Sequence, residues 1–254
     1  NRVFLRYIEQ VLPSLGEAGV EQVVLADLVP GHRIGVIDTN AAKRVKGDIR
    51  MAKVIAKAVQ DRQRPVRDDV EIPYGAGYMR LRAAESARIV RDARRRFRRH
   101  NAAHRFVETE VISAMIASSR NPDADIDTLR DSLRDIPEFR ATLARMWPML
   151  VPAELLHDLF GSAALVKSAA KDEFSEEEYE CLVRGRSNSI AEVLWSDSDV
   201  ALLDEALALL GPRPRKNGKI DETDEVRVFG HIVIDEVQDL TPMQLRMASR
   251  RSLS

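Results

Sequence analysis

The sequence is poor in several of the features that most quickly assign a protein to a class. There is one cysteine, Cys181, among 254 residues, so no internal disulfide framework exists. Five scattered histidines beside that one thiol give no zinc-ligand spacing. Aromatic residues make up only 5%, which points to a helical protein rather than a β-sandwich or barrel. No apolar run reaches membrane-spanning length, and Asn1-Arg2-Val3-Phe4 does not open a signal peptide. The expected localisation is cytoplasmic. Charge of one sign is also lacking: 39 basic and 40 acidic residues nearly cancel, so net charge names no partner. With 44% hydrophobic and 31% charged residues, the chain is long enough for one large or two ordinary domains. Neither a repeat nor a low-complexity tract occurs.

Periodicity predicts a helix over about 4–15, a strand around Val23-Val24-Leu25, and a helix over about 47–63 stopped by Pro65. Val70-Glu71-Ile72 and Tyr78-Met79-Arg80-Leu81 flank Gly75-Ala76-Gly77 as a β-hairpin. An arginine-rich helix follows over about 83–99. From 104 to 186 short helices are punctuated by Pro122, Pro137, Pro148, Pro152, Gly161 and Gly185. Ser175 and Glu178 have capping-box spacing, and 194–210 reads as a helix with N-cap residues among Ser196-Asp197-Ser198-Asp199. After a polar loop over 211–224, Ile232-Val233-Ile234 reads as a strand buried on both faces. Thr241-Pro242-Met243-Gln244 opens the last helix with a cap, a proline at the first position and a capping-box glutamine.

The chemistry concentrates at Asp235-Glu236-Val237-Gln238-Asp239. An apolar strand ending in two adjacent acids presents carboxylates where ligands of open α/β sheets bind. Asp235 can hold Mg²⁺, Glu236 can orient and deprotonate an attacking water, and Gln238 can bond a γ-phosphate. Those roles make Glu236 and Gln238 the expected catalytic residues, Asp235 the metal ligand, and Asp235 with Gln238 the nucleotide contacts. A solvated acidic turn after a buried strand is the plainer reading; the full spacing and the helix cap behind it weigh against it.

This pentapeptide resembles motif II of UvrD/Rep-type superfamily 1 helicases. Its extension, Leu240-Thr241-Pro242-Met243-Gln244-Leu245-Arg246-Met247, is similar to the HelD branch, whose members are ATP-dependent factors that bind bacterial RNA polymerase and release stalled complexes. Asn1 to Ile8 and Val11 to Glu17 resemble the segment around that family's motif Ia. Trp195 to Ala206 resembles the helix before its motif II. The resemblance implies an α/β, RecA-like P-loop motor domain, incomplete here, with a large mainly α-helical insertion. The motor parts are expected at 1–60 and 191–254, and the insertion at 61–190. It also implies ATP and Mg²⁺ as cofactors, RNA polymerase core as partner, and nucleic acid as a further one.

A departure accompanies the resemblance. The phosphate loop G-x-x-x-x-G-K-[ST] does not occur in these residues. Its nearest imitation, Gly161 to Ser168, has Val166 in place of the second glycine and reads as helix. The sequence is therefore expected to be an internal piece of a longer protein, with its phosphate loop before Asn1. This piece is expected to bind no nucleotide and to hydrolyse none. The alternatives are a piece of an ordinary UvrD/Rep-type DNA helicase and a non-catalytic helical interaction module.

Within the expected insertion, Arg88, Arg91, Arg95 and Arg98 form one stripe by steps of three and four, with Ile89, Ala93 and Phe97 facing inward. The stripe suits phosphate or an acidic protein surface, or is simply a solvated face paired with Glu85 and Asp92. Asp123, Asp125 and Asp127 mark an acidic turn that either meets a partner or caps the next helix. Trp147 and Trp195 read as core anchors, His100 and His104 as structural, and Cys181 as an unreactive thiol.

Overall fold

The structure is a computed structural model that describes residues 21–119, 125–213 and 226–253. The expected helix over 4–15, the motif Ia-like segment and Asp123 lie outside these residues.

The described residues are mainly helical, with two small two-stranded sheets. Strand β1 (Arg33–Ile34) pairs in parallel with β4 (Leu194–Trp195). Strands β2 (Val70–Tyr74) and β3 (Gly77–Leu81) form the expected antiparallel hairpin. Its two-residue turn needs Gly75 at φ +59°, a conformation glycine adopts without a Cβ clash. Ile72, Met79 and Leu81 face inward while Glu71 and Arg80 pair outward at 2.6 Å, as a strand period of two dictates.

Eleven α-helices occur among the described residues. They are α1 (Asn40–Gly47), α2 (Met51–Gln60), α3 (Ala83–Arg96), α4 (His104–Ser118), α5 (Ile126–Arg134) and α6 (Pro137–Met146). Then follow α7 (Pro152–Phe160), α8 (Ala163–Ala170), α9 (Glu176–Glu180), α10 (Asp197–Leu210) and α11 (Pro242–Arg250). Two hydrophobic cores hold them. The first gathers α1, α2, α7 to α11 and Trp195 around α10, which is buried from Asp199 through Leu207. A helix apolar nearly all round belongs at the centre of a core. The second gathers the hairpin with α3 to α6, around Ile89, Ile112, Met115 and Trp147. The segment expected as one insertion thus contributes to both cores: residues 66–147 build the second, and 150–182 join the first.

Several elements differ from the sequence reading. Val23-Val24-Leu25 is not a strand; Leu25–Leu28 forms a 3₁₀ turn whose Leu25 and Leu28 pack on the first core. The helix expected over 47–63 is two helices. Asp48 interrupts it by accepting the Arg50 backbone N–H at 2.8 Å and the Arg50 guanidinium at 2.8 Å, a local bond that competes with helix continuation. The arginine helix ends at Arg96, because Phe97 turns extended and His100 is drawn onto Trp147. Leu194–Trp195 is strand, and Ser196 caps α10 in a capping box with Asp199. The sharpest correction concerns Ile232-Val233-Ile234. This segment pairs with no strand among the described residues, and Val233 is 84% exposed. A doubly buried strand needs a neighbour on each side. The nearest pairing here is a single parallel bridge, Phe229 to Ser252.

Candidate functional site

Asp235, Glu236, Gln238 and Asp239 are all exposed on a turn that runs into a 3₁₀ turn at Val237–Asp239. Glu236 is the one non-glycine residue with positive φ among those described, at φ 50° and ψ 44°. For an L-residue this costs about 1–2 kcal/mol. Such outliers persist where their surroundings over-determine them. Here Asp235 Oδ1 accepts the Glu236 N–H at 3.0 Å, Gln238 Nε2 donates to Glu236 Oε2, and the Asp239 N–H returns to the Glu236 carbonyl at 2.9 Å. The turn therefore sets Asp235 and Glu236 side by side and ties Gln238 to Glu236.

The helix behind the turn is capped and tied down by ion pairs. Thr241 caps α11, with Gln244 Oε1 accepting the Thr241 N–H at 2.9 Å and Thr241 Oγ1 accepting the Gln244 N–H at 3.3 Å. Met243 and Met247 enter the first core. Arg246 forms a fork onto Glu205 at 2.7 and 3.2 Å, Arg250 meets Asp204 and Glu205, and Arg251 meets Asp204. Burial pushes the Asp204 carboxyl above the ordinary aspartate range, and the two arginines beside it reduce that rise without cancelling it. Arg251 also reaches the Leu28 carbonyl at 3.1 Å, so α11 is clamped between α10 and the 3₁₀ turn at Leu25–Leu28.

Two exposed neighbouring carboxylates suit Mg²⁺, which is commonly held by one or two carboxylates together with substrate phosphates and water. No group of three or more His, Cys, Asp or Glu able to hold a metal occurs among the described residues. Asp235 and Glu236 are the two adjacent carboxylates that such an ion would meet at this turn. Gly161 to Ser168 supplies no phosphate loop: Ser162 caps α8 and the segment is helical.

The arginine stripe is split. Arg88, Arg91 and Arg95 lie exposed on α3, with Arg88 near Asp92 and Glu110 at 3.5 Å and Arg95 near Asp92 at 3.3 Å. Arg98 lies beyond the helix end. Ile89 and Ala93 are buried beneath, as their spacing requires, and Phe97 is half-buried. Asp125 caps α5 by accepting the Thr128 N–H at 2.8 Å, and this bond, first among several, holds its carboxyl below the ordinary range. Asp127 pairs with Arg130.

Both tryptophans are core anchors, at 1% and 2% exposure. His100 stacks on Trp147 with centroids 4.9 Å apart and planes 5° apart. Its Nε2 donates to the Pro148 carbonyl at 2.7 Å and its Nδ1 accepts from Gln63 Nε2 at 3.1 Å, which fixes the neutral tautomer. Burial lowers its pKa to about 4. Cys181 donates to the Glu178 carbonyl, and burial pushes its thiol up, away from thiolate chemistry.

Sequence reasoning did not single out one buried network. Lys46 lies between Asp38 at 2.7 Å and Asp199 at 2.8 Å, Ser196 donates to Asp38 at 2.5 Å, and Arg184 donates to Asp199 at 2.9 Å. Burial pushes Asp199 up, but Lys46 and Arg184 outweigh it and hold the carboxyl below the ordinary range. The signal was a lysine on the apolar face of α1, beside Ala42 and Val45. The neighbouring Gly47 packs so closely that a Cβ there would sit 2.6 Å from Thr241 Cγ2. Neither the protein-family models nor the curated proteins searched give a match to this chain.

Proposed function

We propose that the chain is part of an ATP-driven, superfamily 1 helicase-like motor of the HelD kind, carrying the residues that serve Mg²⁺ and water but not the phosphate loop. The observation that carries this reading is the exposed Asp235-Glu236 pair, with Gln238 bonded to Glu236, on a strained turn ahead of a clamped helix. ATP with Mg²⁺ supplies the phosphoryl chemistry when bound. Asp235 holds the cation's side of the site. Glu236 orients the attacking water and accepts its proton. Gln238 passes the state of the phosphate to Glu236 through their shared hydrogen bond. The partner in this reading is RNA polymerase. The exposed Arg88, Arg91 and Arg95 and the Asp125-Asp127 turn offer it charges of both signs.

Two measurements test the proposal. Glu236→Gln, placed in a protein that also carries the phosphate loop, should keep nucleotide binding and lose turnover by on the order of a hundredfold or more; an unchanged kcat removes Glu236 from the mechanism. The same protein should be retained by core RNA polymerase. Strand separation on forked DNA with no polymerase retained would assign it to the ordinary helicases instead.

A further inference from the structure

A cleft of about 400 Å³ opens where the chain runs from α2 to β2 beside α6. Its volume falls within the range of small-molecule sites. The chain is pinned on either side of it. At one end the Arg64 N–H bonds the Met146 carbonyl at 2.9 Å and the Val66 N–H bonds Ser86 Oγ at 3.1 Å. At the other, Asp69 Oδ1 accepts the Ala83 N–H at 2.9 Å. Between these pins the backbone bends at Arg67 and Asp68, and the cleft is the space left against Ala141, Thr142 and Arg145 of α6. Val66, Val70 and the Ala141 methyl supply its apolar lining. Arg67, Asp68 and Arg145 also line it, are exposed, and have no hydrogen bond or ion pair among the described residues. Exposed opposite charges elsewhere on this fold do pair, as Arg80 with Glu71 at 2.6 Å. Here both signs share one concavity without neutralising each other. Thr142 is 8% exposed, and its Oγ1 has given its proton to the Glu138 carbonyl at 2.8 Å, so towards the cleft it can only accept.

We propose that this cleft binds a small aliphatic zwitterion, a free α-amino acid or a short peptide, with its carboxylate on Arg145 and Arg67 and its ammonium against Asp68, Asp69 and Thr142 Oγ1. Guanidinium forks match a carboxylate bidentately. An ammonium carries three donors and no acceptor, which suits two carboxylates and a hydroxyl that has spent its proton. The aliphatic side chain covers Val66, Val70 and Ala141. A ligand of one sign fits less well. An anion alone would meet Asp68 and Asp69, and a cation alone would meet two guanidinium groups. The same two acids disfavour a run of phosphates. Because the charged groups are exposed, each contact is worth little in water, and the expected Kd is on the order of a millimolar. The cleft shares no residue with Asp235 to Asp239, so the inference does not rest on the nucleotide reading of that turn.

The test is a ligand-observed NMR titration of the 254-residue chain with L-leucine and with L-leucyl-L-leucine. At least one of the two should saturate, and the tighter one assigns the site to free amino acids or to peptides. The matching carboxylate without an amine, 4-methylpentanoate, and the matching amine without a carboxylate, 3-methylbutylamine, should each bind more weakly by roughly fivefold or more. Arg145→Gln and Asp68→Asn should each weaken the zwitterion by up to roughly fivefold, the worth of one exposed charge contact. Both side chains are exposed and unpaired, so the fold should survive either change. Arg140→Gln, with the same change in charge on the same helix but outside the cleft, should not alter binding. Ala141→Leu, which fills the cleft without altering charge, should weaken both zwitterions. Failure of both to saturate, equal binding of 4-methylpentanoate, an unaltered Asp68→Asn or Ala141→Leu variant, or an equal loss in Arg140→Gln would overturn the proposal.

Discussion

Lowering the pH should strike first at His100. In the fold this imidazole is neutral, with its proton on Nε2 facing the Pro148 carbonyl and its bare Nδ1 facing the Gln63 amide. Protonation would set two donors against each other there. Gln63 cannot turn its amide to relieve this, because its Oε1 already accepts from Arg94 at 2.9 Å. The Arg94 guanidinium and His104 are the nearby groups that can carry positive charge, and neither welcomes another. The folded pKa is about 4 against an ordinary value of 6.5. The unfolded chain therefore binds this proton first as pH falls, and stability is lost from about pH 6.5 downward, levelling off below the folded value. Between about pH 7 and about pH 5 the loss from this one group is about 2 kcal/mol. Urea unfolding followed by tryptophan fluorescence should show it, since Trp147 is the ring stacked on His100. The comparison that isolates it is His100→Phe, which keeps a stack and removes the titration. That variant should be less stable at neutral pH, because Gln63 Nε2 and the Pro148 carbonyl lose partners at about 1–3 kcal/mol each. Its deficit should then shrink by about 2 kcal/mol on moving to pH 5. A deficit that stays constant across that range would refute the assignment of the buried neutral imidazole.

Other outcomes can be checked on the same chain. Lys46→Met should destabilise by about 3–5 kcal/mol, because Asp199 would stay buried with only Arg184 beside it; a urea midpoint shift under a third of that would mean the site relaxes or admits water. Gly47→Ala should cost about 1–2 kcal/mol despite the better helix propensity of alanine, through its clash with Thr241. In a Thr241→Gly background, where the clashing atoms are gone, the same change should be neutral or stabilising by thermal melting. Arg80→Gln should change stability by less than about 1 kcal/mol, since its pair with Glu71 is exposed on the hairpin.

What could be read in the sequence divides by range. Local devices were legible: the hairpin around Gly75, the capping boxes at Ser175 and Thr241, and the punctuation of the helices by Pro137, Pro152 and Gly161 each depend on a few adjacent residues. The helix break at Asp48 was not, because it turns on one side chain preferring the next backbone N–H over continuation. The end of α3 was not, because it is set by Trp147, distant in sequence. Val23-Val24-Leu25 and Ile232-Val233-Ile234 have strand composition, but composition supplies no neighbour, and β pairing is decided by what lies alongside. At the candidate site the residue types were legible, while the left-handed Glu236 and its tie to Gln238 emerged only from the fold.

The two passages of the chain between the cores lie side by side. The Arg64 N–H donates to the Met146 carbonyl at 2.9 Å, so the chain leaves for the second core and comes back through one doorway. A second attachment lies at the end of α10, where the His100 N–H donates to the Leu209 carbonyl at 3.0 Å and Asn101 Nδ2 to the Gly211 carbonyl at 2.9 Å. A bridge of a few residues would span the gap if the second core were excised, but the Leu150, Leu209 and Gly211 backbone groups that His100 and Asn101 satisfy would need new partners. The first core is in this sense a socket with two fixed points, and the attached body is free to diverge in size and surface only away from the side that carries Arg94, His100 and Asn101.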